Sequence, residues 1–363
     1  MRSLNADSPE ANTDITLLSP RRYVRPSDAV WDLAVRTDDS SPLSSHLCRE
    51  AAQDSDILDI AAAVPEGRQA PHLLLAAVQY LLDRHPDHRL AEYYPSITQT
   101  AHDPDDRCFP AFCEFCLDHA DDIRPLLRTR RTQTNAVRHS AVLYPAITQV
   151  ARATDGPLAL VELGPSAGLN MLFDRYRYDY DGLVVGNSDS PITIESSVRR
   201  GDPPLPETPP AIRSRVGLDR NPLDVTDEAD RDWLRALVWP EHEARRAVLD
   251  GALTVAHEEP PRLVEGDMLD DLPAVFDEIP SDVPVCVVTT LVLYQVPAEL
   301  NEALTTVLEA QMVERPLHWL TGRRDLSGGE SVALDWKRQT DDGIETTHLV
   351  DYEPHGAWLS WRP

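Results

Sequence analysis

At residues 158–170 the sequence reads LALVELGPSAGLN, a short apolar run that leads into a turn with two glycines. The run from Leu158 to Leu163 has the length and composition of a buried strand, and the turn is expected to pass into a helix. A turn of this kind brings backbone N–H groups and a helix N-terminus to a bound ligand, and glycine is used where a side chain would block that ligand. The segment therefore predicts a ligand-binding turn in an α/β domain.

Short apolar runs alternate with helical patterns throughout the second half of the chain. After residues 158–163, the further candidate strands are 216–219, 263–267, 285–290 and 317–321. Helical patterns lie among these runs at 226–257, 268–278 and 297–313. This alternation predicts an α/β fold with a doubly wound, mostly parallel, Rossmann-like sheet. The chain end reads instead as antiparallel strands at 332–337, 346–350 and 357–361.

The region before the sheet is predicted to be helical. Residues 1–25 are polar and aperiodic and are expected to form a disordered tail. Residues 26–150 are predicted to form an all-helical N-terminal domain, whose last helix is interrupted near Pro145. Residues 151–363 then form the Rossmann-like domain.

A β-hairpin insertion is predicted within that domain, over about residues 176–212. Tyr176, Tyr178 and Tyr180 alternate with polar residues, and an Asp-Gly pair follows them at 181–182. The tyrosine face either lines the mouth of a substrate site or packs against the helical region, and the sequence leaves both interpretations open.

Acidic residues dominate the charge of the chain. Its 363 residues include 61 Asp and Glu against 34 Lys and Arg, a formal net charge of −27, and Lys337 is the only lysine. This balance argues against a nucleic-acid or anionic-membrane partner. It favours a halophilic, cytoplasmic protein, because molar salt shortens the Debye length to about 3 Å; a GC-rich genome that favours arginine codons is the alternative. No stretch approaches the roughly 18 apolar residues of a membrane span.

The cysteines and histidines do not predict a metal centre. Cys108, Cys113 and Cys116 have the spacing of plant-type iron–sulfur proteins, but a fourth cysteine does not follow nearby. Their helical spacing favours an apolar stripe instead. His85 and His88 are the only close histidine pair, on a polar helix end.

Two sequence motifs of known function can be compared directly with the turn at 164–168. A dinucleotide fingerprint fails, since Ser166 and Leu169 stand where it requires glycines. The G-x-S-x-G elbow of α/β-hydrolases is matched, with Ser166 as nucleophile, but that fold places strands and an oxyanion-hole loop upstream, where this chain reads as helix. The triad partners in the right order would be an acid and a histidine: Asp219 or Asp267, then His318, His348 or His355.

The same turn resembles the first-strand loop of S-adenosylmethionine (SAM)-dependent methyltransferases, which has an acidic residue followed by small residues at alternate positions. The resemblance implies a methyltransferase-type sheet in which Asp219 accepts hydrogen bonds from the ribose hydroxyls, Asp267 contacts the adenine and Met268 packs on its ring. If the turn binds a cofactor in this way, we predict that Gly168→Val blocks cofactor binding sterically and leaves the fold largely intact. The turn residues implied to surround the cofactor are Glu162, Gly164, Ser166, Gly168 and Asn170.

In such enzymes the loop after the fourth strand faces the transferred methyl group, and here it contains Thr290 and Tyr294. Tyr294 is expected to orient an acceptor, because an unperturbed tyrosine has a pKa near 10 and is a weak base. The loop lacks the Pro-Pro-Tyr sequence of amino-methylating enzymes, so a small molecule is the expected acceptor. A ligand-binding protein of the same fold without catalysis is the alternative.

Longer motifs resemble the domain of unknown function 2332 family of uncharacterised bacterial and archaeal proteins. They are Thr132-Gln-Thr-Asn135, Ser166-Ala-Gly-Leu-Asn170 followed by Asp174-Arg-Tyr176, Arg215-Val-Gly-Leu-Asp219 with Pro222 and Asp224, and Trp233 to Trp239-Pro240. The resemblance implies the methyltransferase-like fold and no established reaction. It also places Asn135 beside the cofactor's amino-acid end. The family usually has an acidic residue directly after this asparagine, where this chain has Ala136.

Overall fold

The computed structural model describes residue 33 and residues 40–133, 135–324 and 331–362, so the predicted tail at 1–25 lies outside the described residues. The chain divides into two compact units, residues 1–134 with 229–247 and residues 135–228 with 248–363. The helices are α1 Pro42–Ala51, α2 Ser55–Ala61, α3 Ala70–Leu82, α4 Cys108–Asp118, α5 Ala120–Thr129, α6 Ser140–Arg152, α7 Glu228–Ala236, α8 Glu243–Glu258, α9 Leu272–Asp277 and α10 Ala298–Glu314. The strands are β1 Leu158–Leu163, β2 Arg177–Tyr180, β3 Leu183–Gly186, β4 Thr193–Glu195, β5 Ser197–Arg200, β6 Ile212–Asp219, β7 Arg262–Glu265, β8 Val285–Thr289, β9 Leu317–Arg324, β10 Val332–Thr340, β11 Gly343–Tyr352 and β12 Trp358–Trp361.

The first unit contains helices joined by turns and loops, with no strand among its described residues. Trp233 and Trp239, on and after α7, are buried in the apolar core that α1 to α5 also line. The Glu241 carboxylate accepts hydrogen bonds from Ser41 Oγ at 2.6 Å and from Leu43 N at 2.8 Å, at the start of α1. These contacts join residues 229–247 to the N-terminal helices within the first unit, whereas α6 belongs to the second unit.

The helix α6 continues through Pro145, so the predicted interruption there is wrong. Proline has no N–H to donate to the carbonyl four residues earlier, which is that of Ala141. The Tyr180 hydroxyl donates to this carbonyl at 2.6 Å and replaces the missing backbone donor. A hydrogen bond from β2 therefore allows the helix to continue.

The second unit is built on a nine-stranded sheet with the order β5-β12-β11-β10-β9-β8-β1-β6-β7. The five neighbouring strands β9, β8, β1, β6 and β7 run parallel. The pairs β9–β10, β10–β11 and β11–β12 are antiparallel. The predicted mostly parallel sheet with an antiparallel end is thus confirmed. From β1 the chain adds β6 and then β7 on one side, and it returns to the other side with β8. The strand order therefore reverses between β1 and β8, and ligands of open α/β sheets bind at the carboxyl ends of strands at such a point.

The predicted hairpin is present as β2 and β3, which form a small sheet with β4. Asp181 and Gly182 both have positive φ, 54° and 94°, as a two-residue type I′ turn requires. The hydroxyls of Tyr176, Tyr178 and Tyr180 are buried and donate to the carbonyls of Leu169, Phe173 and Ala141. The tyrosine face is therefore a packed face rather than the lining of a substrate mouth.

The Tyr180→Phe substitution is expected to lower the free energy of unfolding by about 1 kcal/mol, because it leaves the Ala141 carbonyl buried without a donor. Urea denaturation measures this change. Tyr80→Phe is the matched control, since the Tyr80 hydroxyl makes no hydrogen bond to the described residues, and its free energy should stay within about 0.5 kcal/mol of wild type. Equal losses in both variants would contradict the assigned role.

Candidate functional site

Three residues of the turn after β1 have left-handed backbone conformations. Gly164, Ser166 and Gly168 have φ values of 72°, 56° and 72°. The turn is closed by the bond from Gly164 N to Leu218 O, 2.9 Å, and by the bond from Gly168 N to Pro165 O, 2.8 Å. A 3₁₀ segment, Leu169–Arg175, follows in place of the helix expected from the sequence. The chain therefore reverses sharply at the carboxyl end of β1, and no regular α-helix begins there.

The two glycines of the turn lie against side chains of the protein itself. A Cβ atom on Gly164 would lie 2.6 Å from Val292 Cγ2, and one on Gly168 would lie 2.8 Å from Pro261 Cγ and 2.9 Å from Met171 Cε. Valine at 168 would meet these atoms and would also be strained by the positive φ. The expectation that Gly168→Val leaves the fold largely intact is therefore corrected, since both glycines are required by packing within the fold.

Asp219, at the end of β6, holds the turn in place. Its Oδ2 accepts from Ser166 N and its Oδ1 from Asn221 N, both at 2.8 Å. A carboxylate offers about four lone-pair positions, so two acceptor positions remain on this side chain. The structure thus brings Asp219 to the turn, as expected from the order of the strands.

Two asparagines connect the turn to the chain segment before α6. Asn135 Nδ2 donates to Ser166 Oγ at 2.7 Å. The Asn170 amide, with its nitrogen oriented toward the two acceptors that face it, donates to the carbonyls of Ala136 at 3.3 Å and Val137 at 3.2 Å. Asn135, Ser166 and Asp219 therefore form one hydrogen-bonded group at the carboxyl end of β1, and Asn170 binds the backbone that follows Asn135.

The geometry around Ser166 gives no support to the hydrolase interpretation. Its hydroxyl accepts from an amide, which cannot act as a general base, and no described histidine forms a hydrogen bond with it. His318 Nδ1 accepts from Trp336 Nε1 at 3.2 Å, and His348 Nε2 lies 3.0 Å from Asp351 Oδ1. Asp219 contacts backbone N–H groups at Ser166 and Asn221 instead of orienting an imidazole.

Glu162 is a buried carboxyl group without a hydrogen-bond partner among the described residues. It lies on β1 beside the reversal of strand order, and its relative exposure is 4%. Burial, with a smaller contribution from the nearby charge of Asp219, raises the pKa of Glu162 to about 8. A buried carboxyl group is destabilised when ionised unless a cation or a donor meets it. This position can therefore accept a positively charged or hydrogen-bond-donating ligand group.

Asp267 and Met268, after β7, are placed differently from Glu162. Asp267 Oδ1 accepts from Leu269 N at 2.8 Å, and its Oδ2 is paired with the Arg220 guanidinium. The Leu269 N–H and this arginine hold the pKa of Asp267 below its usual value. Met268 is partly buried and packs on the apolar core of the sheet. Both side chains are thus already engaged within the protein.

The loop after β8 passes close to the turn. Val292 covers Gly164, the Thr290 carbonyl lies against Gly322 of β9, and Tyr294 lies on the 3₁₀ turn Leu293–Gln295. Sequence reasoning selected Thr290 and Tyr294 but missed Val292 and Gly322. An apolar residue and a lone glycine carry no chemical signature, so no sequence signal identified them.

Neither a membrane-spanning helix nor a metal-binding cluster is found in the part of the chain that the structure describes. Cys108 and Cys116 lie in the apolar core of the first unit. Burial raises the pKa of the Cys108 thiol to about 12, so it stays protonated at neutral pH.

Fold and site together define an α/β domain with a large, mostly parallel sheet, in which two neighbouring carboxyl groups lie where the strand order reverses. The chain belongs to the family described as "Uncharacterized protein conserved in bacteria (DUF2332)", whose model matches residues 29–361. The resemblance of the sequence motifs to this family is thereby confirmed. No curated protein matches the chain.

Proposed function

We propose that the carboxyl edge of the sheet around Glu162 binds SAM and that the protein transfers its methyl group to a small molecule. The observation that carries the proposal is the buried Glu162 carboxyl, which has no hydrogen-bond partner among the described residues and lies beside the reversal of strand order. SAM has an ammonium group and a sulfonium group, and a cation is what an ionised buried carboxylate requires.

The remaining residues of the turn suit the adenosine part of this ligand. Asp219 retains two acceptor positions, which match two ribose hydroxyl donors. The methionine part would take the space above Gly164, so the Val292 side chain would have to move away from it on binding. We therefore expect the loop after β8 to change conformation when the ligand binds.

Methyl transfer from a sulfonium does not require a particular catalytic side chain. The ligand supplies the reactive methyl group, while the protein aligns an acceptor in line with the breaking bond and excludes water. Tyr294, on the loop that follows β8, is the side chain proposed to orient the acceptor.

A thermal-shift panel tests the proposal with SAM, S-adenosylhomocysteine, NAD and no ligand. A ligand at 100 times its Kd stabilises the folded protein by about 2.7 kcal/mol, so both sulfur nucleosides should raise the melting temperature while NAD does not. Stabilisation by neither nucleoside contradicts the proposal. Binding without loss of the methyl group from SAM would leave a ligand-binding protein without catalysis.

Affinity for S-adenosylhomocysteine is expected to increase with pH between pH 6 and pH 8, by up to about tenfold per pH unit. Its ammonium group binds the ionised form of Glu162, and with a pKa of about 8 this form becomes more abundant across that range. Isothermal titration calorimetry at several pH values measures the effect.

In Glu162→Gln the affinity should be weaker and independent of pH over the same range. Glu265→Gln is the matched control, because Glu265 is an exposed carboxylate at the end of β7, and it should retain the wild-type profile. A pH dependence that survives in Glu162→Gln would remove this residue from the site.

A further inference from the structure

The Tyr352 hydroxyl is buried and has no hydrogen-bond partner among the described residues. Its residue is only 1% exposed. The three tyrosines of the insertion are equally buried, yet each of their hydroxyls donates to a backbone carbonyl. Buried polar groups without partners are rare in folded proteins, and each one calls for an explanation such as a ligand.

The location of Tyr352 connects it to the proposed site. It is the last residue of β11, which is antiparallel to β10, and β10 is antiparallel to β9. The end of β11 therefore lies on the same edge of the sheet as the carboxyl ends of β8 and β9. The His139 ring packs edge-on against Tyr352 at 5.9 Å between centroids, and Tyr294 is close enough to interact with it electrostatically.

We infer that the Tyr352 hydroxyl binds an uncharged, oxygen-bearing small molecule at this edge, and that this molecule is the methyl acceptor. The second part of the inference rests on the proposed function, and the first does not. The structure assigns to Tyr352 a positioning contact next to Tyr294, the side chain proposed above to orient the acceptor.

The chemistry of the ligand follows from the groups around the hydroxyl. Burial, with smaller effects from Tyr294 and Glu353, raises the pKa of Tyr352, so the phenol stays protonated and donates a hydrogen bond at neutral pH. The adjoining Glu353 carboxylate accepts from His355 N and Ala357 N, and its negative charge opposes an anionic ligand. An alcohol, phenol or carbonyl oxygen satisfies both conditions, whereas a carboxylate or phosphate does not.

The first test compares Tyr352→Phe with Tyr180→Phe in urea denaturation without ligand. A hydroxyl that lacks a partner is lost without penalty, so the midpoint of Tyr352→Phe should equal or exceed that of wild type, while Tyr180→Phe should unfold at a lower urea concentration. A decrease in Tyr352→Phe as large as that in Tyr180→Phe would show that the hydroxyl already has a partner, which overturns the inference.

The second test uses phenol as the probe, with toluene and benzoate as its oxygen-free and charged counterparts, in saturation-transfer NMR. Phenol should bind wild type more tightly than toluene or benzoate, and Tyr352→Phe should raise the Kd of phenol about tenfold. Tyr180→Phe should bind phenol as wild type does. Phenol binding that is absent from wild type, or equal in wild type and Tyr352→Phe, overturns the inference.

Repeating the phenol titration with saturating S-adenosylhomocysteine separates this inference from the proposed function. If the nucleoside does not bind but phenol binds through Tyr352, the subsite stands and SAM is not the cofactor. If the nucleoside binds and phenol does not depend on Tyr352, the proposed function stands and this subsite is rejected.

Discussion

Gly322→Ala is expected to lower the free energy of unfolding by about 3 kcal/mol or more, the upper part of the range for overpacking. A Cβ atom at this position would overlap the Thr290 carbonyl oxygen and would lie 2.7 Å from the carbonyl carbon. Thr289 and Thr321 are paired in the parallel register of β8 and β9, so these two backbones cannot move apart without breaking the sheet. No side-chain rotation can relieve a collision with a backbone group.

The control separates this collision from the conformational cost of replacing glycine. Gly156 has a φ of 89° and open space around its Cβ position, so Gly156→Ala is penalised only by its backbone conformation and should cost about 1 kcal/mol. Differential scanning calorimetry of both variants measures the difference. Equal melting temperatures for Gly322→Ala and wild type would mean that the loop after β8 does not press against β9 in solution.

The same substitution links the fold to the site. If Gly322→Ala folds by displacing the Thr290 backbone, the loop that carries Val292 and Tyr294 shifts with it. Affinity for S-adenosylhomocysteine should then change as well, although residue 322 belongs to none of the groups proposed to contact the ligand.

The strands of the parallel sheet could be predicted because each is a short, apolar and wholly local signal. The run at 158–163 corresponds to β1 without change, and the run at 285–290 differs from β8 by one residue. The helical pattern at 226–257 contains two helices, with Pro240 in the break between them. The hairpin was also local, since an Asp-Gly pair is suited to the two positive φ values of its turn.

Features that depend on distant partners could not be predicted in this way. The continuation of α6 through Pro145 depends on a hydroxyl 39 residues beyond Ala141. The grouping of residues 229–247 with the N-terminal helices depends on contacts such as that of Glu241 with Ser41, 200 residues apart. Periodicity and propensity describe neighbours along the chain and contain no information about such pairs.

The candidate site likewise has some features that local sequence predicts and others that depend on distant residues. The residues of the turn after β1 are contiguous in sequence, and the order of the strands was enough to bring Asp219 to them. The sequence suggested that the glycines of this turn make room for a bound ligand. In the structure Val292 lies against Gly164 and Pro261 lies against Gly168. Tyr352 was missed because nothing in a strand sequence shows which hydroxyl will lack a partner after folding.

Glu162→Gln is expected to make the ligand-free protein more stable than wild type at pH 8, by a few kcal/mol. The pKa of this carboxyl group is raised on folding, so its ionisation is less favourable in the folded state than in the unfolded state. Its full contribution to the free energy of unfolding is therefore present only below its unfolded pKa, near 4.5. Between pH 4.5 and the folded pKa of about 8, Glu162 is protonated in the folded state and ionised in the unfolded state. The free energy of unfolding therefore falls as pH rises, by at most about 1.4 kcal/mol per pH unit. Glutamine cannot ionise, so this decrease is absent from the variant.

Urea denaturation of wild type, Glu162→Gln and Glu265→Gln at several values between pH 5 and pH 9 measures the difference. Other buried acids, such as Asp174, contribute equally to all three proteins and cancel in the comparison. The advantage of Glu162→Gln over wild type should grow up to about pH 8 and then become constant, while the exposed Glu265→Gln should follow wild type. Parallel profiles for all three would mean that Glu162 is hydrated or paired when ionised. Glu162 would then need no cationic ligand, since that ligand is proposed to supply the partner that this carboxylate lacks among the described residues.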